Sequence, residues 1–576
     1  MKKYLKLLSV SAVLLMGGLY YGCSDFLEVN PKGALDENVL ATEAGAETLL
    51  IGAYALLDGT SNNITGWEGA SSNWVYGSIV GGEANKGSDS GDQPAINPIM
   101  SYTADESNPY FNARWRVVYD GVVRSNAVLR ILPKIQGGRP AALASMEAQA
   151  RALRGHYHFK AKQMWNMVPY LDENTTDYYV PNDRDIWPEI EADLKFGYDN
   201  LPEAFPEIGR INKWVAGAMY AKALIFQKKF AEAKPIVEAL IANGKKPNGQ
   251  KFALLPNFGD NFDAVNGNSV ESVFAWQYSV NDGSGAWNGG WGEVLNFPHT
   301  GGPGGCCGFF QPSHDFANSF RVNAQGFPLL DNSFSTPANR LVDDQGIAAT
   351  AAFTPDQGLV DPRLDWSVGR RGIPYWDWGP HPGISWIRDQ GYAGPYSPKK
   401  QVYKQEQTGT FTEVGNWTSG WTANNYKYIR YSDIILWAAE IEIEVGSLDQ
   451  ARQYINIIRN RAATGEPVTF DDGTPAANYL ISEYPAGHPA FAGQEAARTA
   501  LRMERKLELG MEGHRFFDLV RWGIAEQEIN RFISVERPRR PLLYEGSVFQ
   551  ARHNYYPIPL IQIDLMRGTL TQNPGY

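Results

Sequence analysis

Three cysteines in 576 residues are too few for a disulfide framework. One of them, Cys23, ends the apolar opening segment, and the other two, Cys306 and Cys307, are neighbours. Across a trans peptide their Cα atoms stand about 3.8 Å apart, below the usual disulfide span of about 4.4–6.8 Å. Two packed thiols are therefore the simpler expectation, with a vicinal disulfide as the alternative. Positive charge is also short. The formal charge is −11, and −14 without the first 22 residues, which hold Lys2, Lys3 and Lys6 and no acid. Such a chain repels polyphosphate, which argues against nucleic acid as a partner. Past Leu19 there is no apolar run long enough to span a bilayer. The eight histidines show no H-E-x-x-H spacing, and there is no P-loop, zinc-finger spacing, Ser-His-Asp or Cys-His motif.

What the chain does have begins at its start. Lys2, Lys3 and Lys6 precede the apolar run Leu7 to Leu19, and Gly22-Cys23 follows. This reads as an export signal over 1–22 with lipid placed on Cys23. Tyr20 and Tyr21 stand where a small and an aliphatic residue are usual, and plain secretion is the alternative. Apolar periodicity then predicts helices at 40–57, 110–132, 141–167, 184–201, 212–228 and 231–243. In the last pair Ala221 and Ala233 stand twelve apart, with Val237 and Leu240 at helical spacing. Ala439, Ala451, Ile455 and Ile458 repeat the arrangement on predicted helices 431–445 and 448–461. Small residues at these places let paired helices approach closely, as in tetratricopeptide repeats.

Two stretches interrupt this helical pattern. Residues 58–109 are rich in Gly, Asn, Ser and Asp and contain Trp67, Trp74 and Tyr76. From 244 to about 430 Gly, Pro, Asn and Trp rise. A strand is expected around Phe274 to Val280, and long loops run from Gly283 to Gly308 and from Gly369 to Lys400. The chain thus divides into 1–22, a helical region 23–243 and a loop-rich region 244–576.

The 17 tryptophans matter most where glycine surrounds them. A pyranose ring has an apolar C–H face and a rim of hydroxyls. An exposed indole covers the face, and Asn, Asp and Arg satisfy the rim. Trp287 and Trp376 are the main candidates for stacking on a sugar, with Trp67, Trp291, Trp378 and Trp386 behind them. Asn288, Asp377 and Arg388 are the candidate hydroxyl partners. This site requires the fold to bring 287–291 and 375–388 together. Trp74 sits in a more apolar run and is expected to be packed. Asn85 to Asp92 offers oxygens suited to a structural Ca²⁺, without EF-hand spacing.

The stretch Arg502 to Gly523 reads R-M-E-R-K-L-E-L-G-M-E-G-H-R-F-F-D-L-V-R-W-G. One helix is expected to stop at Gly510, and a second to start near His514 and carry Phe516, Leu519 and Val520 inward. The interleaved charges, among them Glu504, Arg505, Glu508, Glu512, Arg515, Asp518 and Arg521, read as a paired network bracing the turn. The pattern E-R-x-x-E-L-x-x-E-G-x-R-x-x-D-L-x-R-W-G resembles the signature of the SusD/RagB family of bacterial surface glycan-binding lipoproteins. Tyr428 to Leu436 resembles that family's Arg-Tyr-Ala-Asp helix start. Tyr556-Pro557-Ile558-Pro559 and Gln572 to Tyr576 resemble its C-terminal pattern.

The resemblance implies a mainly α fold, a tetratricopeptide-like helical scaffold with long irregular loops and a few short strands. It also implies glycan capture without cleavage, no cofactor, an outer-membrane location through lipid on Cys23, and a SusC-like TonB-dependent transporter as partner. Two rival readings differ in class. A surface glycoside hydrolase needs a carboxylate pair on separate elements flanking the bond. Glu504 and Glu508, one turn apart on a helix, do not supply it, and nothing fixes the geometry of Asp377 and Asp389. A structural lipoprotein without ligand should bury all its tryptophans.

Overall fold

The computed structural model describes residues 37–576 apart from 62, 63 and 416, so the export signal and Cys23 lie outside the described residues. Its helices of eight or more residues are α1 (Glu43–Ala55), α2 (Pro109–Ile131), α3 (Pro140–Trp165), α4 (Trp187–Asn200), α5 (Lys213–Phe226), α6 (Phe230–Asn243), α7 (Tyr431–Val445), α8 (Leu448–Thr464), α9 (Gln494–Leu509), α10 (Arg515–Trp522) and α11 (Ala525–Glu536). Local chemistry sets their starts. Pro109 and Pro140 occupy first-turn positions where a missing N–H costs nothing. Asn212 caps α5 by accepting from the Val215 N–H.

From α1 to α8 each helix packs on the next, and α9 lies against α7 and α8. The result is the expected mainly α, tetratricopeptide-like scaffold. Ala221, Ala233, Ala439 and Ala451 are all fully buried at the helix crossings, where larger side chains would force the helices apart.

Sheet structure is slight. The pairs β1 (Ala84–Gly87) with β3 (Phe309–Pro312), β2 (Ser272–Ala275) with β8 (Lys427–Arg430), β4 (Val368–Gly369) with β5 (Ser397–Pro398), and β6 (Thr412–Glu413) with β7 (Trp421–Thr422) are antiparallel. The strand expected at 274–280 stops early. The Asn425 side chain takes the Tyr278 N–H at 2.8 Å and ends the ladder. The described residues of 58–109 fold into short helical turns plus β1, with Trp74 buried at 1% exposure.

The boundary expected at 243/244 marks a change of secondary structure rather than a gap in packing, because one core runs from Ala46 to Leu570. Cys306 and Cys307 form a disulfide. The vicinal disulfide, the alternative to two packed thiols, is the state the structure shows.

The expected ionic turn is a buried network reaching well beyond its own stretch. Arg430 stands at its centre, 2.8 Å from Glu512, 2.6 Å from Glu271 and 3.0 Å from Glu508. Arg363 meets Asp361, Glu504 and Glu508 at 2.8, 2.7 and 3.2 Å. Arg459 pairs Glu504, Arg461 pairs Glu271 and Glu508, and Lys400 pairs Glu512. Five cations thus face five carboxylates, and the network is neutral in sum. Burial pushes the Glu508 carboxyl up, but Arg461, Arg430 and Arg363 outweigh it and hold the group well below the carboxylate range.

A second set joins Arg505 to Asp433 and Asp518, and Arg521 to Asp518 and Glu440. The two internal motifs, 428–436 and 502–523, are therefore ion-paired to each other. Arg515 stands apart from both sets. It is buried, and its carboxylate neighbour Glu528 lies 3.8 Å away. Gly510 and Gly513 end the first helix as expected. A Cβ at Gly513 would lie 2.0 Å from the Ser72 carbonyl, and its φ is +79°, so only glycine fits there.

Candidate functional site

Three separate pieces of chain bring five indoles together. The first is the turn Gly66–Gly69, carrying Trp67 and held by a 2.8 Å bond from the Thr65 hydroxyl to Glu68. The second is the loop 279–292. Asp282 fixes it by accepting from the Ser279 hydroxyl at 2.6 Å, the Ser284 N–H at 2.9 Å and the Asn288 amide at 2.8 Å. These donors hold the Asp282 carboxyl far below its usual range. The third is the β6–β7 hairpin, with Trp417 in its connection and Trp421 on β7. The loop and hairpin are tied by the Gly290 N–H to the Thr422 carbonyl and by the Asn281 N–H to Glu413.

The rings form a connected platform. Trp287 stacks on Trp291 at 4.8 Å, and Trp291 on Trp67 at 5.7 Å, with interplanar angles of 24° and 26°. Trp417 stands edge-on to Trp67 at 6.0 Å and to Trp421 at 5.1 Å, and Trp421 edge-on to Trp291 at 5.2 Å. Trp291 and Trp421 are the buried base, Trp67 is half-buried, and Trp287 and Trp417 are 60% and 44% exposed. Glycine makes the assembly possible. A Cβ on Gly66 would lie 2.4 Å from the Trp291 Cβ.

The second predicted group is a different place. Trp376 packs on Trp366 at 5.3 Å, and its indole N–H donates to the Lys399 carbonyl. Trp378 donates to the Tyr403 carbonyl, and Trp386 is buried between Tyr375 and His381. Among the described residues no ring of this group touches a ring of the platform; the group packs instead with Phe297 and Tyr403. Asp377 accepts from the backbone of Gln405 and Glu406, so it secures a loop. Arg388 is committed to Asp89 and Asp92 at 2.8 and 2.7 Å.

The polar residues thus go to the loop fold, because an exposed turn satisfies its own backbone before it serves a ligand. The Asn85 to Asp92 turn is likewise filled from within: Lys86 Nζ donates to the carbonyls of Asp89 and Asp92. Trp417 and Trp421 were missed in the sequence. Their signal is the same four-residue Trp spacing beside glycine that marks Trp287 and Trp291.

The SusD family model matches residues 270–576, just over half of the chain. The chain belongs to the SusD family. A second model, described as starch-binding associating with outer membrane, matches residues 25–225. Two SusD-like proteins of Formosa agariphila are 22% and 23% identical to this SusD-family protein. The alignments cover 96% and 100% of this chain and 97% and 100% of theirs.

A SusD superfamily protein from Bacteroides vulgatus superposes with a TM-score of 0.66 at 19% identity, covering 93% of this chain and 99% of the other. A surface glycan-binding protein A from Bacteroides thetaiotaomicron, solved in complex with laminarihexaose, superposes with a TM-score of 0.62 at 20% identity, covering 92% and 99%.

Carboxylates around the platform of this SusD-family protein have structural partners. Glu68 caps a turn, Glu413 ties loop to hairpin, and Asp282 organises its loop. Glu504 and Glu508 belong to the buried network, and Asp389 caps the turn at Gln390. Beneath Trp291, burial raises the Glu293 carboxyl to about 7, and burial raises Asp58 to about 7 as well.

Proposed function

We propose that this SusD-family protein is a surface-exposed lipoprotein, anchored in the outer membrane through Cys23. It captures an oligo- or polysaccharide on the five-indole platform and passes it to a SusC-like TonB-dependent transporter. The observation that carries the reading is the open Trp287 face at the end of a supported stack, with Trp417 exposed beside it. A sugar face covers such a ring without displacing a charged group, and Asn288 and Asp282, though bonded to each other to hold the loop, stay exposed beside it and can accept further bonds from the hydroxyl rim. The laminarihexaose complex and a laminarin-binding SusD-like protein among the solved structures point to neutral glucans as first ligands to try. The proposed role is binding without cleavage: Glu68, Glu413 and Asp282 hold loops, Asp58 accepts from the Thr60 N–H, and Glu293 is buried and accepts from the Tyr278 hydroxyl. A ligand-free structural role predicts buried tryptophans, and 60% exposure at Trp287 speaks against it.

The test is affinity electrophoresis of the purified protein against soluble polysaccharides, beginning with laminarin, followed by calorimetry. Retarded migration by at least one, abolished in Trp287→Ala/Trp417→Ala, is the expected result. Unchanged binding by the double variant moves the site elsewhere, and no binding across the panel overturns glycan capture.

A further inference from the structure

A cleft of about 460 Å³ opens beside the platform, between α1 and the loop that carries Trp287. Ile51, Tyr54 and Asp58 line it from the α1 side, Arg210 from the turn before α5, and Trp276 and Asn288 from the loop-rich half. Asn288 directly follows Trp287, so platform and cleft meet at one residue. We propose that the cleft receives a neutral side-chain sugar of the same glycan whose backbone lies on the platform. This rests on the platform reading and adds a preference for branched ligands.

Size and chemistry both support it. The volume lies within the range of small-molecule sites, about 300–1,000 Å³. Half-buried Tyr54 supplies aromatic surface, and the exposed Gln277 and Asn288 supply amides for hydroxyls. Glu207 and Asp282 bring two carboxylates to the lining, beside Asp58, which burial raises to about 7, against one cation, Arg210, which already pairs with Glu47. A uronate or sulfate branch is repelled there, whereas an uncharged hexose or pentose is not.

The experiment compares each polysaccharide with its own debranched form, which holds backbone length nearly constant. Galactomannan, arabinoxylan and laminarin are measured by calorimetry before and after enzymatic removal of their side sugars. Wild-type protein is expected to bind the branched form of its ligand about tenfold tighter. Ile51→Trp grows from an exposed helix face (53% exposed) into the cleft. It should erase that preference while leaving the debranched affinity unchanged, whereas Trp287→Ala should weaken both forms. A wild type that treats both forms of every ligand it binds alike overturns the proposal, as does a preference that survives Ile51→Trp. Loss of all binding by the wild type instead defeats the platform reading, and this proposal falls with it.

Discussion

Trp287 gives one face to Trp291 and keeps the other free, so a ligand meets it from one side. If stacking on a sugar resembles stacking of a base on an aromatic ring, about 1–3 kcal/mol rests on that contact. Trp287→Ala should then weaken binding about 5- to 150-fold. Trp376→Ala should change affinity by less than about twofold, since that ring is half-buried on Trp366 and lies outside the platform. Calorimetry on the two variants decides, and a larger loss at Trp376 reverses the assignment.

Glu293 makes a second prediction at this scale. Burial raises its carboxyl to about 7 from the usual 4.5, so the folded state holds a proton that the unfolded chain has released. The stabilisation is complete below about pH 4.5 and is lost as pH rises through about 7. Glu293→Gln cannot ionise. Its stability relative to wild type should therefore improve by up to about 3 kcal/mol from pH 5 to pH 8. Comparing the two proteins cancels the buried histidines, and Asp58, which the Glu293 charge helps to push up, shifts with the substitution in the same pH range. A difference that does not vary with pH contradicts this account.

At the scale of elements, the turn between α9 and α10 is held by charges contributed from elsewhere in the chain. Arg430, on β8, joins Glu271 beside β2 to Glu508 on α9 and Glu512 in the turn. Arg430→Met leaves these carboxylates short of a cation in a buried site and should cost about 3–5 kcal/mol in denaturant unfolding. Arg515→Ala removes a looser contact and should cost about 1 kcal/mol. Equal losses would mean the brace is centred on the turn itself. Neither variant should alter which glycan binds, because the platform is built from 66–69, 279–292 and 412–422.

For the molecule as a whole, binding through apolar faces and hydroxyls should be nearly independent of salt despite a charge of −11. A steep salt dependence in calorimetry would point to an ionic ligand. Anchoring is tested separately: under the proposed reading, in which lipid on Cys23 supplies the attachment, Cys23→Ala should move the protein from the membrane fraction to the soluble one. Retention of that variant in cells lacking the transporter would place the anchor elsewhere.

The helical scaffold was legible in the sequence because helix formation is local. Periodic apolar residues, prolines and capping side chains act within a few turns, and the close helix crossings need only small residues such as Ala221 and Ala439 at the right spacing. The charge pairing of 502–523 was legible in kind, since so many charges beside apolar residues must be paired. Its centre, Arg430, was not, because its carboxylates come from distant segments. Tryptophan in glycine-rich loops announced an aromatic surface. Which rings share it was decided only by tertiary contacts: the β6–β7 hairpin delivers Trp417 and Trp421 to Trp291 and Trp67, while 375–388 packs with Phe297 and Tyr403. Glycine frees a loop to go in many directions, and long-range hydrogen bonds such as Gly290 to Thr422 select one of them.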